Sequence, residues 1–195
     1  TGTALTSGWR AKAEQSAEFG GFHDIRQSKY NPVGVLTFME RLAYDERNKP
    51  QFEWGIFRTH PPSRERARAI MKRLADARVP IKRSQVTQTL KTQIKPGDDG
   101  TVDIWYANIK LYSFAGTDAL TRADAAAMTL DTLYDAVPRI FEINAEGLNL
   151  VGRGRVLFAV TDDDARAAKK KPDELAEDAS KALKRAAYDL SYRIW

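Results

Sequence analysis

The chain has 195 residues, of which 43% are hydrophobic and 29% charged, the composition of a globular protein with one generous domain or two small ones. The absence of cysteine excludes disulfides, thiolate zinc sites and cysteine nucleophiles, and no run approaches the roughly 18 apolar residues of a membrane-spanning helix. The net charge of +5 comes from 31 basic residues interleaved with 26 acidic ones. That mixture argues against a nucleic-acid partner, because phosphate recognition calls for a face of one sign.

In chain order, the spacing of Trp9, Ala13, Ala17, Phe22 and Ile25 predicts a helix over 9–29, weakened by Gly20-Gly21. Asn31-Pro32 then has the form of a cap with proline at the first helical position. A second helix is expected over about 32–46, with Val35, Leu36, Phe38, Met39 and Leu42 on its apolar side. Residues 47–62 carry Asn, Pro and Gly and are expected to form a loop. Within it, Trp54 and Phe57 are expected to pack under the chain rather than line a groove. Ser63 is placed to cap a third helix reaching Ala77, with Ala67, Ile70, Met71 and Leu74 inward.

Beyond Val79-Pro80 the texture changes. QVTQTLKTQIK (85–95) alternates and is rich in Thr, Val and Ile, which predicts a strand. Pro96-Gly97-Asp98-Asp99-Gly100 is a turn, and it lacks the further ligands of a calcium loop. VDIWYANIKLYSF (102–114) is more strand, broken near Ala107-Asn108. TRADAAAMTLDTLYDAV (121–137) is a helix. GLNLVGRGRVLFAVT (147–161) returns to strand, with a bend at Gly152 or Gly154. Asp162-Asp163-Asp164 suits a helix N-terminus, where carboxylates meet the positive end of the dipole, and Pro172 opens a long final helix. No internal repeat is legible. The boundary falls near 79–86. The predicted architecture is α+β, with a helical part over 1–80 and a small α/β domain over 81–195, in the order β-β-α-β-β-α with one sheet and helices on one face.

The first part carries the chemistry. Glu14-Gln15-Ser16-Ala17-Glu18, then Gly21, then the corner Lys29-Tyr30-Asn31-Pro32, then VGVLTFMERLA and RTHPPSRERARAI with Arg66, resemble in order and spacing the HtpX-like zinc metallopeptidases, including their soluble periplasmic branch. The resemblance covers about residues 9–80. It implies that this part is the helical C-terminal portion of a zincin-like metallopeptidase. It further implies that Glu14 is the third zinc ligand beside two histidines of an HExxH helix, and that Glu18 orients a histidine from behind. His60 would then stand close enough to the metal to switch onto it or to touch substrate. A catalytic zinc of this kind takes three protein ligands and keeps one position open, and the HExxH glutamate is the general base.

The chain departs from that pattern in one respect. It has only two histidines, His23 and His60, and no HExxH. No catalytic residue of the zinc reaction is therefore expected within it, and the chain alone is expected to be inactive. His23 matches no ligand position and is expected at the surface. The catalytic helix is then expected upstream in a longer precursor, on another chain, or lost, and Thr1 in place of Met, with the loose texture of residues 1–8 (TGTALTSG), favours the first two.

The leading expectation is the C-terminal portion of a zinc-dependent endopeptidase of the bacterial cell envelope or periplasm. Its partners would be a polypeptide substrate, the missing catalytic segment or other protein subunits. The alternative is a non-catalytic binding or assembly subunit that retains the peptidase scaffold. In the second half no nucleophile can be paired with a histidine base. Gly152-Arg153-Gly154-Arg155 is too short for a phosphate loop and lacks a following helix.

Overall fold

A computed structural model describes residues 20–48 and 63–194. The chain divides into two units, Thr1–Ile81 with Arg193–Trp195, and Lys82–Tyr192. Among the described residues no helix is long and apolar enough to cross a membrane.

In the first unit, α1 is helical over 20–27. Asn31 starts the next helix as its sequence suggests. Its Oδ1 accepts the Val33 N–H at 3.0 Å, and its carbonyl accepts from Gly34 at 3.0 Å, so two of the otherwise unpaired donors of a helix start are satisfied locally. Helix α2 (Val33–Asn48) buries Val33, Leu36, Met39 and Ala43, and packs on α3 (Ser63–Asp76), which buries Ala67, Ile70 and Leu74. Three-and-four spacing on both helices makes these two stripes meet. Phe38, expected inward, is 57% exposed. Ser63 is the first residue of α3 and does not cap it. It donates its N–H and hydroxyl to the Glu46 carboxylate at 3.3 and 2.5 Å, so an acid from the end of α2 takes the capping role.

The second unit is α+β. Strands β1 (Thr92–Pro96), β2 (Val102–Tyr106) and β3 (Ile109–Phe114) form one antiparallel sheet. Helix α4 (Ala119–Asp135) follows, then a second antiparallel sheet of β4 (Ile143–Glu146), β5 (Asn149–Gly152) and β6 (Arg155–Ala159), then α5 (Asp162–Ala168) and α6 (Pro172–Ile194). The order is β-β-β-α-β-β-β-α-α, so the expectation of a single sheet in the order β-β-α-β-β-α is corrected. With every pairing antiparallel, the unit is not of the parallel α/β kind. Strand β4 escaped the sequence reading because its four residues are too few to show alternation.

The two sheets repeat one device. In the first, Tyr106 pairs with Ile109 and Trp105 with Lys110, then Ile104 pairs with Tyr112. In the second, Gly152 pairs with Arg155 and Val151 with Val156, then Leu150 pairs with Phe158. The same shift along the chain carries Tyr106 to Gly152, Ile109 to Arg155 and Tyr112 to Phe158. It also carries the bulged residue Leu111 to Leu157. A bulge sends two consecutive side chains to one side. Leu111 with Tyr112, and Leu157 with Phe158, are accordingly all buried. This tandem of strand, bulged hairpin and helix is the repeat that residue identities conceal. Where the first copy has Tyr106 the second has Gly152, where an added Cβ would stand 3.0 Å from the Leu133 methyl groups.

Between the sheets the rings of Tyr112, Phe114 and Phe158 lie 4.8–5.4 Å apart. The alanine-rich inner face of α4 (Ala119, Ala123, Ala126, Ala127) is buried. Before β1, residues 83–85 and 88–90 are 3-10 turns, so the expected strand over 85–95 shrinks to Thr92–Pro96. Helix α4 diverts the donors such a strand would have used. Asp135 takes the Ser84 N–H at 2.9 Å and its hydroxyl at 2.7 Å, and Asp131 takes the Thr92 N–H at 2.7 Å.

Candidate functional site

The densest polar constellation among the described residues grows from the start of α5. Thr161 has extended backbone and caps the helix, its hydroxyl accepting the Asp164 N–H at 3.4 Å while Asp164 Oδ2 accepts the Thr161 N–H at 3.0 Å. This reciprocal box anchors Asp164. The same carboxylate accepts the Ala115 N–H at 2.7 Å, the Tyr112 hydroxyl at 3.0 Å, and both terminal nitrogens of Arg122. Arg122, from α4, also donates to the carbonyls of Ala115 and Ala159 at 3.3 and 3.1 Å and to the Thr161 hydroxyl at 3.2 Å. Its guanidinium lies 5.0 Å from the Phe114 ring centroid.

One carboxylate and one guanidinium thus tie the end of β3, α4, the end of β6 and the start of α5. This joins the first strand-hairpin-helix copy to the second. Asp164 is 1% exposed. Burial pushes its carboxyl upward, but hydrogen bonds from Arg122, Ala115 and Thr161 and the Arg122 charge outweigh burial and hold it below the ordinary value. Burial, then the Asp164 charge and hydrogen bond, push the Tyr112 phenol up. With both oxygens committed to donors, Asp164 has no lone pair free for a metal or a substrate proton. The constellation is a latch, and its chemistry is cohesion.

The latch makes an expected pH dependence. A carboxyl depressed on folding stabilises above its unfolded value, near 4, and loses that contribution as pH falls through the folded value. Asp164→Asn should therefore flatten the acid limb of the stability profile below about pH 4, read as urea midpoints across pH. An unchanged acid limb in the variant would show that Asp164 does not govern it.

The second polar cluster is the clamp of Asp131 and Asp135 on the chain entering β1. Burial first, and the Asp135 charge with it, raise the Asp131 carboxyl. Ser84 donates to Asp135, yet no histidine stands among these residues to relay a proton, so a nucleophilic triad is not assembled.

Glu14, Glu18 and His60, together with Trp54 and Phe57, lie outside the described residues. His23 is exposed on α1, where the Gln27 amide donates to its ring at 2.9 Å. Among the described residues no group of three His, Cys, Asp or Glu is placed to hold a metal ion. Asp98 and Asp99 are exposed in the β1–β2 turn, with Asp99 at φ 52. Arg153 and Gly154 form the β5–β6 turn with φ of 52 and 73, and Arg153 pairs with Glu142 at 3.1 Å. The sequence placed Asp162-Asp163-Asp164 at a helix start and left Arg122 without a role. A signal was present in Thr161-x-x-Asp164, a capping pattern whose acid is free to recruit a distant cation once buried.

No curated protein and no solved structure matches the chain. Residues 109–189 match a family described as Domain of unknown function (DUF8459), a stretch that begins at β3, ends within α6 and contains every member of the latch.

Proposed function

We propose that this chain is the C-terminal portion of a zinc-dependent endopeptidase of the HtpX-like kind, working in the bacterial envelope. In this reading residues 9–80 are the helical part of a zincin-like domain, and the second unit is a non-catalytic accessory domain. The observation that carries the proposal is the order and spacing of Glu14-x-x-Ala17-Glu18-x-x-Gly21, Tyr30-Asn31-Pro32 and Thr59-His60-Pro61-Pro62. Two local features support it: Asn31 caps α2, and Glu46 pins Ser63, the residue that follows the Thr-His-Pro-Pro segment.

The chain's own donors do not suffice for the metal. Glu14 and His60 give one carboxylate and one imidazole, short of the three protein ligands of a catalytic zinc site, and the general base is absent. The histidine pair and the base would come from an HExxH segment outside these 195 residues. No step of peptide hydrolysis is assigned to the residues present.

The absence of HExxH favours a second reading from another class, a binding or assembly subunit that kept the scaffold. The metal content of the complete gene product separates the two. The peptidase reading predicts stoichiometric zinc, reduced to traces by Glu14→Gln and retained in His60→Ala with altered peptide hydrolysis. A complete product that carries no zinc and cleaves no peptide supports the assembly reading and removes the first. Zinc unchanged in Glu14→Gln removes Glu14 from the ligand set.

A further inference from the structure

At the tip of the β1–β2 hairpin stands the chain's single Asp-Gly step, Asp99-Gly100, and Asn-Gly does not occur in the sequence. Asp99 has φ 52 and ψ 34, and Gly100 has φ 77. The Thr101 N–H reaches the Asp98 carbonyl at 3.0 Å across the pair. Positive φ at both central residues is the type I′ pattern of a two-residue hairpin turn. Glycine adopts it freely, and aspartate is one of the few other residues that visit it.

The side chains around the pair leave it open. Asp99 and Gly100 are both exposed, and among the described residues the Asp99 carboxylate makes no ion pair or hydrogen bond. Asp103 is a contrast, its carboxylate held by Lys110 and by Ser113, each at 2.7 Å. A Cβ added to Gly100 would meet nothing within 4 Å, so no neighbour crowds the turn. The hairpin is also fastened on either side of the pair. The Gly97 N–H donates to the Thr101 carbonyl at 2.9 Å, and the Thr101 hydroxyl donates to the Asp98 carbonyl at 2.7 Å. Asp99 can therefore turn about its own ψ at a loop tip, where such motion is least opposed, while the strands keep their pairing.

We propose that Asp99 is a site of spontaneous isomerisation to isoaspartate in the folded protein. The inference stands independently of the peptidase reading. The Gly100 backbone nitrogen attacks the Asp99 carboxyl carbon and forms a new C–N bond. The nitrogen's proton and the carboxyl hydroxyl leave together as water, which closes a five-membered succinimide. Water then opens the ring. Attack at the side-chain carbonyl returns aspartate, and attack at the backbone carbonyl routes the main chain through the β-carbon as isoaspartate. Nothing is oxidised or reduced, and the mass is unchanged. A side chain on the following residue hinders the ring closure, and glycine has none. The product carries one extra methylene in a two-residue turn and presents a carboxyl group of the kind that isoaspartyl methyltransferases esterify.

The test is prolonged storage of the 195-residue chain at neutral pH and physiological temperature, in buffer and in urea. Samples are digested with an endoproteinase that cleaves before aspartate but not before isoaspartate. In parallel they are labelled with an isoaspartyl methyltransferase and its methyl donor. The folded wild type should progressively lose cleavage between Asp98 and Asp99 and gain methyl acceptance in the same peptide. Asp99→Glu should abolish that acceptance, because its ring would have six members and closes far more slowly. Asp99→Asn should gain it faster, since ammonia is expelled more readily than water. Circular dichroism confirms that both variants are folded. The rate in buffer should lie within about tenfold of the rate in urea, a small difference in barrier. A slower rate in buffer means that the folded turn protects the pair, and it overturns the proposal. Methyl acceptance in Asp99→Glu equal to that of wild type also overturns it, because the label then arises elsewhere in the chain.

Discussion

Asp164→Ala is expected to lower the unfolding free energy by about 3–5 kcal/mol. The substitution leaves Arg122, whose side chain is 18% exposed, beside donors it cannot satisfy, and frees the Ala115 and Thr161 N–H groups and the Tyr112 hydroxyl at the same moment. Removing one partner of a buried pair costs more than the pair is worth, because the survivor stays desolvated. Arg122→Ala should cost a similar amount, and the double change Arg122→Met with Asp164→Leu should cost less than either alone. Urea denaturation followed by circular dichroism measures all three. A loss within about 0.5 kcal/mol for Asp164→Ala would mean that the latch does not hold the repeats together.

Tyr134→Ala should cost about 3–5 kcal/mol in the same measurement. Tyr134 is 1% exposed, its ring lies 4.2 Å from that of Tyr106, and its hydroxyl reaches the Leu183 carbonyl at 3.3 Å. One side chain therefore joins α4 to β2 and to α6. Burial, then the neighbouring Tyr106, push its phenol well above the ordinary value. Tyr134→Phe keeps the ring and loses only the hydroxyl, so about 1 kcal/mol is expected. If Phe and Ala cost the same, the hydrogen bond and not ring packing fastens α6.

Helix starts were the most legible part of the sequence, because their chemistry is local. Asn31 acts on a donor two residues away, within the reach of any pattern, whereas Thr161, which caps α5 in the same local way, was taken for the end of a strand. Ser63 illustrates the limit, since the acid that receives its donors comes from the previous helix, 17 residues back. Periodicity found α4 and α6 but overextended the strand before β1. There the alternating residues look identical whether their N–H groups pair with a strand or, like Ser84, with a carboxylate from α4. The tandem hairpins share a register and a bulge while Tyr106 answers to Gly152 and Lys110 to Val156, so geometry is kept where identity is not.

The latch was invisible for a related reason. Arg122 and Asp164 are 42 positions apart, and only the fold brings them together. Of the metal-directed residues, the sequence pattern is the whole support, since Glu14, Glu18 and His60 lie outside the described residues.

The central claim, that Glu14 belongs to a zinc site completed by histidines from outside these residues, meets its most direct test in a crystal structure of the complete gene product with anomalous scattering recorded at the zinc edge. The account predicts a peak about 2.0–2.2 Å from a Glu14 carboxylate oxygen, shared with two imidazole nitrogens. A Glu14 side chain extended into solvent, with no anomalous peak near it, would contradict the claim.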